Sequence, residues 1–133
     1  MDKDLESRVT SAPDAESVWE PLSSDGIATI RYKAGAIITE AVARSNTAHV
    51  IGLTSGKRVV LLADIRQLKS ISREARVYFG NSSGSFAAIA LLAGSAPTQV
   101  IANFFIGLSR PKVPTQMFTD EEKALVWLRR HAV

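Results

Sequence analysis

The stretch Asp64 to Arg76, "DIRQLKSISREAR", gathers the residues of this chain best suited to chemistry: two carboxylates, two hydroxyls and four of the chain's bases within thirteen positions. Asp64 closes the apolar run "VVLLA" and could take a proton, hold a cation, or accept backbone N–H groups of the loop that follows. Acid–base catalysis normally divides its roles between two tuned groups, and Asp64 at the strand end stands without such a partner, which favours the structural role. Arg66, Lys69, Ser70, Ser72 and Arg73 follow, and Thr98 with Pro97 and Gln99 stands after the next apolar run. If both runs are parallel strands, these residues collect at strand ends and helix starts, where free N–H groups attract anions. Asp64, Arg66, Lys69, Ser70, Ser72, Arg73 and Thr98 therefore define a candidate interaction or anion-binding loop. The plainer alternative has Ser72 as a helix cap, Glu74 opposing the helix dipole and the bases solvated.

Other chemistries are poorly served. The 133 residues hold no cysteine and only two histidines, His49 and His131, which argues against thiol chemistry, disulfides and multi-histidine metal sites. "GNSSGSF" at 80–86 has glycines but not the lysine of a phosphate loop, and neither a nucleophile elbow nor a dinucleotide fingerprint occurs. No cofactor is implied. The first twenty residues carry a net charge of −4 and the remainder +7. A basic body suits an anionic partner or is simply solvated. The few aromatics sit in apolar settings rather than among bases, so nucleic-acid binding is not expected. Apolar runs such as "FAAIALLA" fall far short of the ~20 residues of a membrane span, and the acidic start lacks the apolar core of a secretory signal. A cytoplasmic protein is expected.

The elements that must hold the loop follow from periodicity. Residues 1–17 are polar and aperiodic, which predicts a mobile acidic tail before a single domain over 18–133. "VWEPL" and "IATIRYK" predict a hairpin turning at Asp25-Gly26, with Ala28, Ile30 and Tyr32 facing the core. Thr39 should cap a first helix that runs to about Thr54, buries Val42, Ala48 and Leu53 or their neighbours, and ends on a left-handed Gly56. A continuous apolar strand follows, then a second helix from about Ser72 to Asn81, a loop "NSSGS" and a second buried strand. "TQMF" is a short strand. The closing helix "TDEEKALVWLRRH" carries a capping box between Thr119 and Glu122, acids in its first turn and bases in its last. Alternating strands and helices imply an α/β fold with a mixed, mostly parallel sheet of about five strands, an N-terminal hairpin and about four helices.

The third helix, opened by Pro97 and stopped before Pro111, is more apolar than one sheet contact requires. Val100, Ile101, Phe104, Phe105, Ile106 and Leu108 spread over more than one face. A second copy, a partner groove or an apolar ligand could cover the surplus, and symmetric self-association is the commonest answer. Ile101, Phe104, Phe105 and Leu108 are the candidate homodimer interface.

With its hairpin, first helix, "VVLLADIRQLKSIS" and second helix, the chain resembles the STAS domain (sulfate transporter and anti-sigma factor antagonist). It is closer to small bacterial STAS-like proteins of unassigned function, through "DIR…SIS.EAR.YF" at Asp64 to Phe79, "NFF…P..P" at Asn103 to Pro114 and "FTDEE.AL.WL" at Phe118 to Leu128. The resemblance spans about residues 18–130 and implies a STAS-like, anti-sigma factor antagonist-like fold. It also implies a non-enzymatic regulatory or protein-interaction module. In the antagonists an aspartate-serine-serine-glycine run opens the second helix. Matching Ile71 to the preceding apolar residue puts Ser72, Arg73, Glu74 and Ala75 at those four positions. Arg73 thus stands where the phosphorylated serine would be and cannot accept phosphate, which leaves Ser70 and Ser72 as the hydroxyls of this loop. A small-molecule carrier, for an anion or a lipid-like ligand, is the alternative function.

Overall fold

The structure, a computed structural model, describes residues 16–132. Its elements are β1 (Ser17–Trp19), β2 (Ile27–Tyr32), β3 (Ile37–Ile38), α1 (Glu40–Thr54), β4 (Val59–Asp64), β5 (Ser70–Ile71), α2 (Arg73–Ser82), β6 (Phe86–Leu92), α3 (Ala96–Phe104), β7 (Thr115–Phe118) and α4 (Glu121–His131). The expected tail over residues 1–17 falls, for residues 1–15, outside the described residues. Glu16 accepts the Ile37 N–H at 2.8 Å, and Ser17 already pairs with Tyr32 in β1.

Five strands form one sheet in the order β1-β2-β4-β6-β7, with β1 antiparallel to β2 and every other pair parallel. The order advances one way from β2 to β7, so successive right-handed crossovers put α1, α2 and α3 on the same face. Ala28, Ile30, Tyr32, Leu61, Ala63, Ile89 and Leu91 point to that face and meet Ala43, Val50, Ala75, Ala102 and Phe105. The other face, Ile27, Val60, Leu62, Ala88, Ala90 and Leu92, is covered by α4 through Ala124 and Leu128. Burial on both faces is why β4 and β6 read as unbroken apolar runs. A second sheet, β3 parallel to β5, pairs Ile37 with Ser70 and Ile38 with Ile71. Two-residue strands leave no periodic trace, and nothing in the sequence announced it.

Several expected details shift for identifiable reasons. Helix α1 turns Ala43, Asn46, Val50 and Thr54 inward, while Val42 and Leu53 are half-buried and Ala48 is exposed. The Tyr32 hydroxyl donates to Asn46 Oδ1 at 2.6 Å and Asn46 donates to Ser17 Oγ at 3.2 Å, so a satisfied polar residue occupies what apolar periodicity assigned elsewhere. Thr39 caps α1 through the Val42 N–H, but the left-handed end begins at Ser55 (φ 56°) and continues at Gly56 (φ 79°). Asp120 rather than Thr119 caps α4, accepting from Glu122 N at 2.9 Å and Lys123 N at 3.3 Å, since an ionised carboxylate is the stronger acceptor. "NSSGS" is not a plain loop: α2 reaches Ser82 and a 3₁₀ turn spans Ser83–Ser85.

Past Phe104, α3 widens into a π turn over Phe105–Ser109 that ends on a left-handed Arg110. Buried Ser83 ties this segment down, donating to Gly80 O at 2.8 Å and accepting from Lys112 N at 2.7 Å. Ser83→Ala leaves the Lys112 N–H without that acceptor, and a loss of about 1–2 kcal/mol is expected in urea unfolding. An unchanged midpoint would show that water replaces the hydroxyl.

Candidate functional site

Asp64 lies where the sequence argument placed it, at the last position of β4, directly across from Arg31 on β2. It is buried and saturated. Its carboxylate accepts Arg31 Nη1 at 2.9 Å, Arg66 Nε at 3.0 Å, Arg66 Nη2 at 2.8 Å and the Arg66 backbone N–H at 3.1 Å. Arg31 also grips Glu121 of α4 with two nitrogens, at 3.1 and 3.0 Å, and binds Glu20 through Nε. Arg66 reaches Glu121 at 3.6 Å. Two guanidiniums and three carboxylates thereby join the hairpin, the central strand and the closing helix in one cluster.

Burial pushes the Asp64 carboxyl up, while hydrogen bonds from the Arg66 side chain and backbone and from Arg31 pull it down, and the net result lies below the ordinary carboxylate value. The Arg31 guanidinium is held above its ordinary value, first by Glu121 against the opposing effect of burial. A general base works best with a pKa near the operating pH and an open lone pair. Asp64 has neither. His49 stacks on Trp19 with ring centroids 5.1 Å apart, and His131 lies 4.5 Å from Trp127. Among the described residues no group of three or more His, Cys, Asp or Glu could hold a metal ion, and no helix is long and apolar enough to cross a membrane.

The seven residues of the candidate loop divide into four settings. Asp64 and Arg66 belong to the ion cluster, so the Arg66 guanidinium faces carboxylates. Thr98 is buried at the start of α3, where its hydroxyl accepts Gly94 N at 3.0 Å and donates to Ser95 O at 2.9 Å. Ser72 caps α2 by accepting Ala75 N at 3.1 Å. Lys69, Ser70 and Arg73 are exposed, and Arg73 is the first residue of α2.

The apolar surplus of α3 also splits. Phe105, placed at the candidate interface from the apolar surplus of this helix, is only 7% exposed and packs in the core. Ile101 is half-buried against the same core. Thr98, Ala102 and Phe105, four and three residues apart, share the buried face, so regular helical spacing carries the ring inward. Phe104 and Leu108 do face outward, at 52% and 66% exposure, together with Val100 at 52%. Val100 and Phe104, four residues apart, share one face, and that spacing was the signal that could have replaced Phe105 by Val100.

Between the sheet and helices α1 to α3 lies a cavity of about 90 Å³, lined by Ile30, Leu61, Phe79, Leu91, Ile101 and Phe105 among others. Trp19 belongs to its wall, and the buried Trp19 Nε1 has no hydrogen-bond partner among the described residues. A buried donor without an acceptor costs about 1–3 kcal/mol.

Sheet order and helix placement define an α/β domain with a SpoIIAA-like fold. Residues 22–132 match the family model described as domain of unknown function DUF7793, and the chain belongs to that family. The fold is similar to that of an uncharacterized DUF3478-family protein with a SpoIIAA-like fold from Shewanella loihica PV-4 (TM-score 0.61, 18% identity, 84% of this chain and 91% of that one). It is similar also to the anti-sigma factor antagonist SpoIIAA in its unphosphorylated form (TM-score 0.59, 14% identity, 85% and 97%). A protein of unknown function from Arthrobacter sp. FB24 shares 37% identity over 83% of this chain and 96% of its own, with a TM-score of 0.34. No curated protein matches the chain.

Proposed function

We propose that this protein is a non-enzymatic regulatory module that acts by docking, forms a homodimer through the outer face of α3, and works in the cytoplasm. The observation that carries the reading is the exposed trio Val100, Phe104 and Leu108, on a helix whose opposite side is already buried. Three large apolar side chains left in water favour association, and an apolar patch without charge is self-complementary about a two-fold axis. The engagement of Asp64 by two arginines supports the non-enzymatic reading, because the strand-end carboxylate is spent on structure. Lys69 and Arg73, exposed at the start of α2, then present positive charge to an acidic protein partner.

Light scattering coupled to size exclusion tests the dimer. The wild type should run at twice the chain mass, and Phe104→Glu with Leu108→Glu should run at the monomer mass with an unchanged circular dichroism spectrum. A monomeric wild type overturns the proposal. Phe105→Glu is unsuited to this purpose, since it places a charge in the core.

A further inference from the structure

We infer that the apolar cavity and a recess beside it form one binding site for a single-chain amphiphile with an anionic head. The cavity is bounded by sheet residues on one side and by Val50, Phe79, Ile101 and Phe105 on the other. A second recess of about 290 Å³ opens where α1 ends and β4 begins, lined by Ile51, Thr54, Lys57, Arg58 and Val59 among others. Val50 and Phe86 line both, so the two spaces are neighbours across the same pair of side chains.

The chemistry of the two walls differs in the way an amphiphile requires. The cavity wall is almost wholly apolar, whereas the recess carries two adjacent cations and no carboxylate among its lining residues. Arg58 lies across the start of β6, donating to the Phe86 carbonyl at 3.0 Å, which holds its positive charge beside the shared boundary. A cavity of ~150 Å³ holds benzene, so a space of about 90 Å³ suits the end of an alkyl chain rather than a ring. The chain's remainder and its head then occupy the recess, with a carboxylate or phosphate on Lys57 and Arg58. The site lies apart from the exposed face of α3, and the inference does not depend on dimerisation.

Calorimetric titration of the full chain with decanoate, decyl phosphate and decanol tests it, with Trp fluorescence as a second readout. The expected result is binding of one or both anionic ligands, which identifies the head as carboxylate or phosphate, with decanol about tenfold weaker. Lys57→Glu combined with Arg58→Glu, both exposed positions, should remove the preference, so that decanoate and decyl phosphate bind no better than decanol. Ala102→Leu, which fills the cavity from α3, should abolish binding of all three, and its folding is checked by thermal melting. Equal affinity for decanol and decanoate, insensitivity to the double charge reversal, or no binding of any ligand by the folded wild type would each overturn the inference.

Discussion

Asp64→Ala is expected to lower stability by about 2–3 kcal/mol, near the lower end of what breaking a buried ion pair costs. The loss comes from Arg31 and Arg66, which give up four hydrogen bonds between them with one side chain. Both arginines keep Glu121 and are partly exposed to water, at 30% and 43%, which limits the damage. Asp64→Asn should cost less, because an amide oxygen still accepts the Arg66 N–H while the charge is lost. The same residue predicts a pH dependence. Its folded-state pKa is below the unfolded one, so its contribution is complete above the unfolded value and is lost as pH falls through the folded value. Urea midpoints of the wild type should therefore be flat near neutrality and decline below about pH 4, and the decline should be shallower in Asp64→Asn. Arg31 stays charged throughout and adds nothing to that slope. Identical acid limbs for the two proteins would remove Asp64 from the account.

Gly80→Ala should be destabilising by about 2 kcal/mol, against the sign that helix propensity predicts. In an open helix interior the change gains up to about 1 kcal/mol. Here a Cβ would lie 2.6 Å from the Ser109 carbonyl oxygen and 3.2 Å from the Ser109 Cβ. The obstacle is backbone at the end of the π turn, in a segment that Ser83 clamps through Lys112, so it cannot rotate aside as a long side chain could. Asn81→Ala, one residue on and exposed, provides the contrast and should be neutral or slightly stabilising. A Gly80→Ala variant as stable as Asn81→Ala would mean that the π turn yields at no cost.

Much of the architecture was legible because it is written in local pattern. Unbroken apolar runs marked β4 and β6, and serine before an acidic first turn marked α2, down to Ser72 as its cap. What escaped is non-local or out of phase. Arg31 and Glu121 are ninety residues apart, and no spacing rule links a base on an N-terminal strand to an acid on the last helix. Thr98 was grouped with the loop by topology alone, whereas its hydroxyl closes a turn within its own segment. The interchange of Val100 and Phe105 arises because a helix apolar on more than one side does not announce which side meets the sheet. Trp19 drew no notice because an unsatisfied donor is a property of the packed state.

Among the described residues the face of the sheet opposite α1 to α3 is covered by one helix, and α4 follows every strand. During synthesis, Ile27, Val60, Leu62, Ala88, Ala90 and Leu92 can all be paired into a sheet while residues 121–131 are still inside the ribosome. Until then one side of the nascent domain is bare apolar surface, the kind of intermediate that chaperones hold and proteases degrade. A product truncated ahead of Glu121 would lack Ala124 and Leu128 and leave that apolar face without its helical cover.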